Sequence, residues 1–341
     1  SVGEIIKHLR SSAMPGVASA SVGAGKTIII AALCKHVSDL NGKVLVISRQ
    51  GEIVSQDAED CWLAGCMNST YSASLGIKSA VYPVIMGSEG TVCRSLEQDQ
   101  AYSNGLKKSP SKLYDFKADL ILIDECHHVD YETEDSQYMK IIKEMQKRNP
   151  KLRIIGLTGT PFRGVKPIVG DNDDYFWKKQ IVDISTKYLT SRGFLTPCSF
   201  GFADEDTRYD LDEFKSDGDD GAGDFSLAEM RAMEKKILSS GTTTQKIMLD
   251  IVEQAKNRNV VMITCAGKKH CKEAASALPS GTYAIITDDV GGKKRRELLD
   301  KTKKGEIKYI FQCGVLTTGY NNPLIDTMVI LRKIGSLTLL V

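Results

Sequence analysis

The stretch Ala20-Ser21-Val22-Gly23-Ala24-Gly25-Lys26-Thr27 decides how this chain is read. Before it, Gly16-Val17-Ala18-Ser19 is short and extended in character. After it, Ile28-Ile29-Ile30-Ala31-Ala32-Leu33-Cys34 is apolar and long enough to open a helix. A strand that turns through glycines into a helix is a ready anion site. Gly23 and Gly25 let successive N–H groups point inward at a polyphosphate, and the helix aims its positive end at the same place. On this reading Ser21, Val22, Gly23, Ala24 and Gly25 cradle the phosphates. Lys26 reaches the β- and γ-phosphates of ATP, and the Thr27 hydroxyl ligates Mg²⁺. The general pattern has Gly where Ala20 stands. The alternative is a glycine-rich strand-to-helix turn with an incidental lysine.

Working outward, apolar runs alternate with helical patterns. Val44-Leu45-Val46-Ile47 reads as a buried parallel strand and ends in the polar Ser48-Arg49-Gln50. Residues 52–64 read as helix, 65–80 as loop, 81–86 as strand and 98–112 as surface loop. Leu120-Ile121-Leu122-Ile123 is a strand that ends in Asp124-Glu125-Cys126-His127-His128. Tyr138, Ile141, Ile142 and Met145 recur at i, i+3, i+4, i+7 on one helix face. Arg153 to Leu157 is a strand followed by Thr158-Gly159-Thr160-Pro161-Phe162-Arg163. This alternation predicts a doubly wound α/β fold with a parallel sheet. The texture changes near residue 190. Between Asp204 and Asp224 ten Asp/Glu face two Lys/Arg, the composition of a solvated junction. Alternation then resumes, with strands at 260–263, 283–286, 307–311 and 327–331 and helices at 270–278 and 293–304.

Composition narrows the class. The 341 residues suffice for about two domains. With 42% apolar and 26% charged residues the chain is of ordinary globular character. No apolar run is long enough for a membrane span, and the start is not a signal peptide. The nine cysteines form no C-x-x-C pair, which argues for reduced thiols in a cytosolic protein. A net charge of +2 does not by itself announce nucleic acid.

Asp124-Glu125 lies about a hundred residues beyond Lys26, at a strand's end. Asp124 can hold Mg²⁺ as a Walker B acid does, and Glu125 can orient and deprotonate the attacking water. Taken alone, the pair could equally be a solvated strand end. Beside the phosphate loop it completes a nucleotide site.

These residues carry a resemblance. Asp124-Glu125-Cys126-His127 resembles the DExH box, motif II of superfamily 2 helicases. Thr158-Gly159-Thr160-Pro161 resembles motif III, and Val315-Leu316-Thr317-Thr318-Gly319-Tyr320 resembles motif V. Together with R-G-F-L-T-P these are similar to the RadD-like branch, bacterial repair proteins and phage helicases. The resemblance implies two tandem RecA-like domains, each a mostly parallel sheet with helices on both faces. The first, 1–190, would bind ATP, and the second, 191–341, would be the helicase C-terminal domain. It implies that His127, Thr158, Thr160 and Gly319 couple the ATP state to the nucleic-acid cleft. Arg49 and Gln50, then Gly87, Ser88, Gly90 and Thr91, then Thr317 and Thr318, would line the DNA track. It further implies an ATP hydrolase moving along or unwinding DNA, in the cytoplasm of a bacterium or encoded by a phage, with repair or replication proteins as partners and no membrane.

There are departures. Motif Ib here is Ser88-Glu89-Gly90, without the usual glutamine, and Asn321 stands where motif V often has Asp. The end at Val341 resembles the lead-in to motif VI, which supplies arginine fingers, and the adenine-reading glutamine motif would precede Ser1. Because such fingers are worth roughly 10³–10⁵ in rate, the expectation is slow ATP hydrolysis by these 341 residues alone. A double-strand translocase that never separates strands, and an ATP-switched binding module, are the alternatives. Among other groups, the basic run from Lys293 to Lys304 and Arg163 could meet phosphate or an acid. Trp62 and Trp177 read as packing residues.

Overall fold

The computed structural model describes residues 1–163, 166–201, 208–215, 224–316, 320 and 322–335. The chain forms two compact units, Ser1–Cys198 and Ser199–Val341.

The first unit begins with α1 (Val2–Ser11), β1 (Gly16–Ala20), α2 (Lys26–Asp39), β2 (Val44–Ser48) and α3 (Gly51–Leu63). It continues through β3 (Asn68–Ser72), β4 (Ile77–Lys78), β5 (Val84–Ser88), α4 (Glu89–Ser103) and β6 (Leu120–Asp124). After a single 3-10 turn, Cys126–His128, come α5 (Gln137–Arg148), β7 (Arg153–Thr158), β8 (Phe162–Arg163), β9 (Lys166–Pro167), β10 (Lys179–Ile184) and α6 (Thr186–Ser191). The main sheet has the order β10-β1-β7-β6-β2-β5-β3-β4. Every pairing in it is parallel except β3 with β4.

The alternation of side chains along each strand sorts the core into two layers. Leu45, Ile47, Ile85, Ile121 and Ile123 pack under Val92 and Leu96 of α4 and Tyr138, Ile141 and Met145 of α5. Val44, Val46, Leu120, Leu122, Ile155 and Leu157 pack under α1, α2 and α3. Because both faces are covered, the central strands are apolar throughout, which is why they show in the sequence as unbroken runs.

Four segments differ from the sequence expectation. The 65–80 stretch is not loop, since β3 and β4 lie within it. Its polar side chains are consumed locally: Asn68 Nδ2 donates to the Ala58 and Cys66 carbonyls, and Ser69 Oγ accepts from the Val81 and Tyr82 N–H groups. Helix α4 runs to Ser103, so the 98–112 loop begins later. Buried Asp99 pairs with Arg148 at 3.2 Å and accepts from the Ser111 N–H and hydroxyl, so a charge at a core position is neutralised. The expected strand at 81–86 starts only at Val84, and β10 was not foreseen; it pairs parallel with β1.

The second unit holds α7 (Leu227–Leu238), α8 (Thr243–Gln254), β11 (Val260–Thr264), α9 (Lys268–Ala275), β12 (Tyr283–Ile286), α10 (Gly292–Lys303), β13 (Tyr309–Gln312) and β14 (Ile325–Ile330). Its sheet is parallel, in the order β12-β13-β11-β14. Ser226 and Glu229 close a capping box at the head of α7, each side chain bonded to the other's backbone N–H. Much of the acidic 204–224 stretch, residues 204–207 and 216–223, lies outside the described residues.

A buried histidine ties this unit's core. The Ala266 N–H donates to His270 Nδ1 (3.2 Å), so the ring proton sits on Nε2, which donates to Tyr209 Oη (3.1 Å). Tyr209 Oη in turn donates to Thr244 Oγ1 (3.0 Å). Burial lowers the His270 pKa from 6.5 to about 4. The unfolded chain therefore takes up this proton first as pH falls, and stability drains between about pH 6.5 and 4. A 2.5-unit gap corresponds to about 3 kcal/mol at most. Denaturant titrations of the second unit's signal at pH 7.5 and 4.5 should show a loss of this order. In His270→Gln the loss over that window should shrink by the same amount.

Candidate functional site

Parallel pairing brings the chemistry to one edge. Ser19 of β1 lies beside Thr158 of β7, and Leu157 of β7 lies beside Asp124 of β6. The C-terminal ends of three adjacent strands thus deliver the β1–α2 loop, the Asp124–Glu125 pair and the Thr158–Thr160 turn to the same rim, the usual ligand edge of such sheets.

The loop between β1 and α2 has the backbone that its glycines promise. Gly23 (φ 80°) and Gly25 (φ 77°) are left-handed, and Gly25 is the cap from which α2 starts. The Ala24 N–H donates to the Ser21 carbonyl (3.0 Å), and the Ser21 N–H donates to the Ile184 carbonyl at the end of β10 (3.0 Å). Leu195 closes against Gly23, where a Cβ would stand 2.6 Å from Leu195 Cδ2. The Ser21 hydroxyl is buried with no partner.

Lys26 and Glu125 meet across this rim, with Lys26 Nζ 3.5 Å from Glu125 Oε1. Glu125 is a non-glycine residue in the left-handed region (φ 50°, ψ 50°), where the chain leaves β6 for the 3-10 turn. Such a conformation costs roughly 1–2 kcal/mol. Its second oxygen, Oε2, lies 3.4 Å from His127 Nδ1. The same nitrogen is 2.8 Å from Thr158 Oγ1 and 3.2 Å from Thr160 Oγ1. Thr158 Oγ1 spends its own proton on the Thr160 carbonyl (3.2 Å) and so accepts from the ring, which puts the imidazole proton on Nδ1. Burial, with the charges of Lys26 and Arg49, lowers the His127 pKa to about 4, so the ring is neutral near pH 7. The Thr160 N–H donates to Thr158 Oγ1 (3.0 Å), which fixes the turn. Gly159 passes close to the loop, and a Cβ there would lie 3.5 Å from Lys26 Nζ. Lys26, Glu125, His127, Thr158 and Thr160 therefore form one contiguous relay.

Asp124 is buried, and its Oδ1 has no hydrogen-bond partner. Burial first, then the charge of Glu125, raises its pKa, while Lys26 opposes the rise. An orphaned carboxylate oxygen beside a left-handed N–H cradle suits a divalent cation and a polyphosphate. Among the described residues no group of three or more His, Cys, Asp or Glu side chains is arranged to hold a metal. Thr27 and Asp124 would hold Mg²⁺ with the help of water and phosphate.

The expected nucleic-acid residues divide. Arg49 and Gln50 are exposed at the end of β2, and Arg49 Nε stands 4.0 Å from Glu89. Gly87 is buried inside β5, where a Cβ would clash with Val92 at 2.5 Å, so it lines no track. The Ser88 hydroxyl donates to Thr91 Oγ1 (2.8 Å), which also accepts from the Ala73 N–H (3.0 Å). Both side chains are buried and spent on the head of α4, so their hydroxyls are not offered to a strand. Gly90 is half-buried at that head. Thr317, Thr318 and Gly319 lie outside the described residues. Arg163 pairs with Asp130 (3.2 Å), Trp177 is fully buried, and Trp62 packs edge-on to Tyr82.

Sequence reasoning missed Asp57. It is buried on α3, accepts from the Ser48 hydroxyl (3.2 Å), and has its pKa raised by burial and then by the charge of Asp124. The signal was present: Val54, Asp57, Ala58 and Cys61 form an i, i+3, i+4, i+7 stripe with an acid at a core position.

Residues 1–163 match the family described as type III restriction enzyme, res subunit. The chain is similar to the putative ATP-dependent helicase IRC3 of Saccharomyces cerevisiae, 25% identical over 234 residues that take in 65% of this chain and 30% of that protein. The match thus spans under a third of that relative's length. The fold is shared with solved helicase structures built of RecA-like domains. The Hef helicase domain of Pyrococcus furiosus aligns with a TM-score of 0.53 at 12% identity, covering 98% of this chain and 90% of that one. The helicase Lhr of Mycobacterium smegmatis, bound to single-stranded DNA and AMP-PNP, aligns with a TM-score of 0.54 at 13% identity, covering 97% and 42%. No helix among the described residues is long and apolar enough to cross a membrane.

The relay has a measurable weight. Thr158→Val keeps the shape but leaves the Thr160 N–H and the His127 ring without the hydroxyl they share. A buried polar group stranded in this way costs about 1–3 kcal/mol. Urea unfolding should show a lower midpoint at unchanged slope, with a smaller effect for Thr158→Ser.

Proposed function

We propose that the chain is the motor core of an ATP-dependent DNA helicase or translocase, coupling ATP hydrolysis to movement along or unwinding of DNA in repair or recombination. The first unit would be the ATP-binding domain and the second the helicase C-terminal domain. The observation that carries the reading is the continuous contact from Lys26 through Glu125 and His127 to Thr158 and Thr160. It links the phosphate loop to a segment that need not touch nucleotide at all, which a simple binding pocket would not require.

In this reading Ser21 to Thr27 bind the phosphates of ATP. Mg²⁺, held by Thr27 and Asp124, would draw charge off the phosphate oxygens. Lys26 is engaged by Glu125. A γ-phosphate competes for the same ammonium and frees the Glu125 carboxylate to take a proton from the attacking water. Neutral His127 lies against the other carboxylate oxygen, so a shift at Glu125 would be felt at Thr158 and Thr160. Arg49 and Gln50, exposed at the same sheet edge, would contact the DNA backbone, which favours binding with little sequence preference. By the motif resemblance Thr317 and Thr318 would also contact DNA, and Gly319 would serve coupling. A RadD-like role, a bacterial or phage origin, a cytoplasmic setting and repair or replication partners rest on the motif resemblance alone.

A second reading, a double-strand translocase that does not separate strands, is favoured by the match of residues 1–163 to the restriction-enzyme res subunit. One experiment serves both. ATP hydrolysis by the full-length protein is measured with and without single-stranded DNA, double-stranded DNA and RNA, beside Lys26→Ala and Glu125→Gln. DNA should stimulate turnover, and both variants should abolish the stimulation. Glu125→Gln should lose about 10²–10⁴ in rate, as for a general base, while still binding ATP. Binding of ATP and DNA without stimulated turnover would leave only a nucleotide-switched binding module.

A further inference from the structure

Asp57 occupies a position that its helix otherwise gives to apolar side chains. Val54, Ala58 and Cys61 on the same stripe of α3 are buried, and Asp57 itself is only 2% exposed. The sheet face beneath carries Val44 and Val46 of β2 and Leu120 and Leu122 of β6. With a side-chain period of two, the next positions on that face are Ser48 and Asp124. β2 and β6 pair in register up to Ile47 with Ile123, so Ser48 and Asp124 end level with each other. Ser48 Oγ then donates to Asp57 Oδ2 at 3.2 Å, with both groups buried. Helix stripe, strand register and hydrogen bond all set the Asp57 carboxyl over the ends of these two strands. The charges that bear on it are those of Asp124, Asp60 and Glu125.

Like charges gathered away from water are unfavourable unless a cation joins them. The buried Asp124 Oδ1, which has no partner in the protein, is an independent sign that a ligand belongs at this point. Mg²⁺ takes one or two carboxylates and keeps several waters, and acids in its outer shell orient those waters. We propose that Asp57, held by Ser48, is a positioning residue of the cation site, its carboxylate engaging the water shell of a divalent cation bound through Asp124 and Thr27. This rests on the ATP-site reading above. Asp57 does not bind the metal directly, in keeping with the absence of a ligating trio among the described residues.

The test uses the full chain with ADP and Mn²⁺, the free ion being counted by its electron paramagnetic resonance signal. Outer-shell partners are worth about 10–100-fold in metal affinity. Asp57→Asn, which can still meet the Ser48 hydroxyl, should therefore weaken Mn²⁺ binding to the ADP complex by about tenfold, while the affinity for ADP in chelator stays unchanged. Ser48→Ala should move affinity the same way by less, and Asp57→Glu should bind Mn²⁺ more tightly than Asp57→Asn. A folded Asp57→Asn that binds Mn²⁺ as the parent does would overturn the proposal and leave Asp57 a neutral buried acid serving α3. If that variant does not fold, unchanged affinity in Ser48→Ala overturns it equally. A parent protein that binds no Mn²⁺–ADP, with Asp124→Asn no different, sinks the ATP-site reading and this proposal with it.

Discussion

Parallel pairing of β1, β7 and β6 is the constraint on which everything at the rim depends. Ser19 beside Thr158 and Leu157 beside Asp124 are backbone facts, fixed by main-chain hydrogen bonds in a sheet buried on both faces. A slip of one residue in any of the three would turn its apolar side chains to the wrong layer, so the register is held by the whole core. Local chemistry then needs only short reach. Lys26 starts the helix that follows β1, Glu125 follows the last residue of β6, and Thr158 is the last residue of β7. The relay between them is short because the strands end together.

The electrostatics of the site follow from the same burial. Asp124 and Asp57 are buried, so their charged forms are disfavoured, and the Lys26 charge opposes this at Asp124. His127, buried and near two cations, stays neutral and can act as a hydrogen-bonding hinge without adding charge of its own. The arrangement is poised for a polyanion and its cation, whose arrival would redistribute every one of these charges.

The central strands and the left-handed turn between β1 and α2 were legible in the sequence because their physics is local: an apolar run and two glycines ahead of a helix. The acid pair was legible because it sits at the end of such a run. What could not be read were elements whose polar residues are satisfied by partners outside the element itself. Strand β3 hides its character behind Asn68 and Ser69, which bond to the Ala58 carbonyl of α3 and to the Val81 N–H. Helix α4 hides behind Asp99, which is neutralised by Arg148 from α5. Ser88 and Thr91 look like hydroxyls offered to a ligand until their mutual bond is seen. Asp57 reads as a solvated charge until the helix is wound and the stripe around it turns inward.

Glu125 joins the chemistry to the backbone in a second way. It is one of two non-glycine residues with positive φ among those described, and it sits at the point where β6 turns into the 3-10 segment. Glycine or asparagine would hold that conformation more comfortably. A laboratory selection for heat resistance alone should therefore drift toward replacing the very side chain to which the proposed reading gives the chemistry. Lineages in which the acid persists would mark those where turnover, and not robustness, has been under selection.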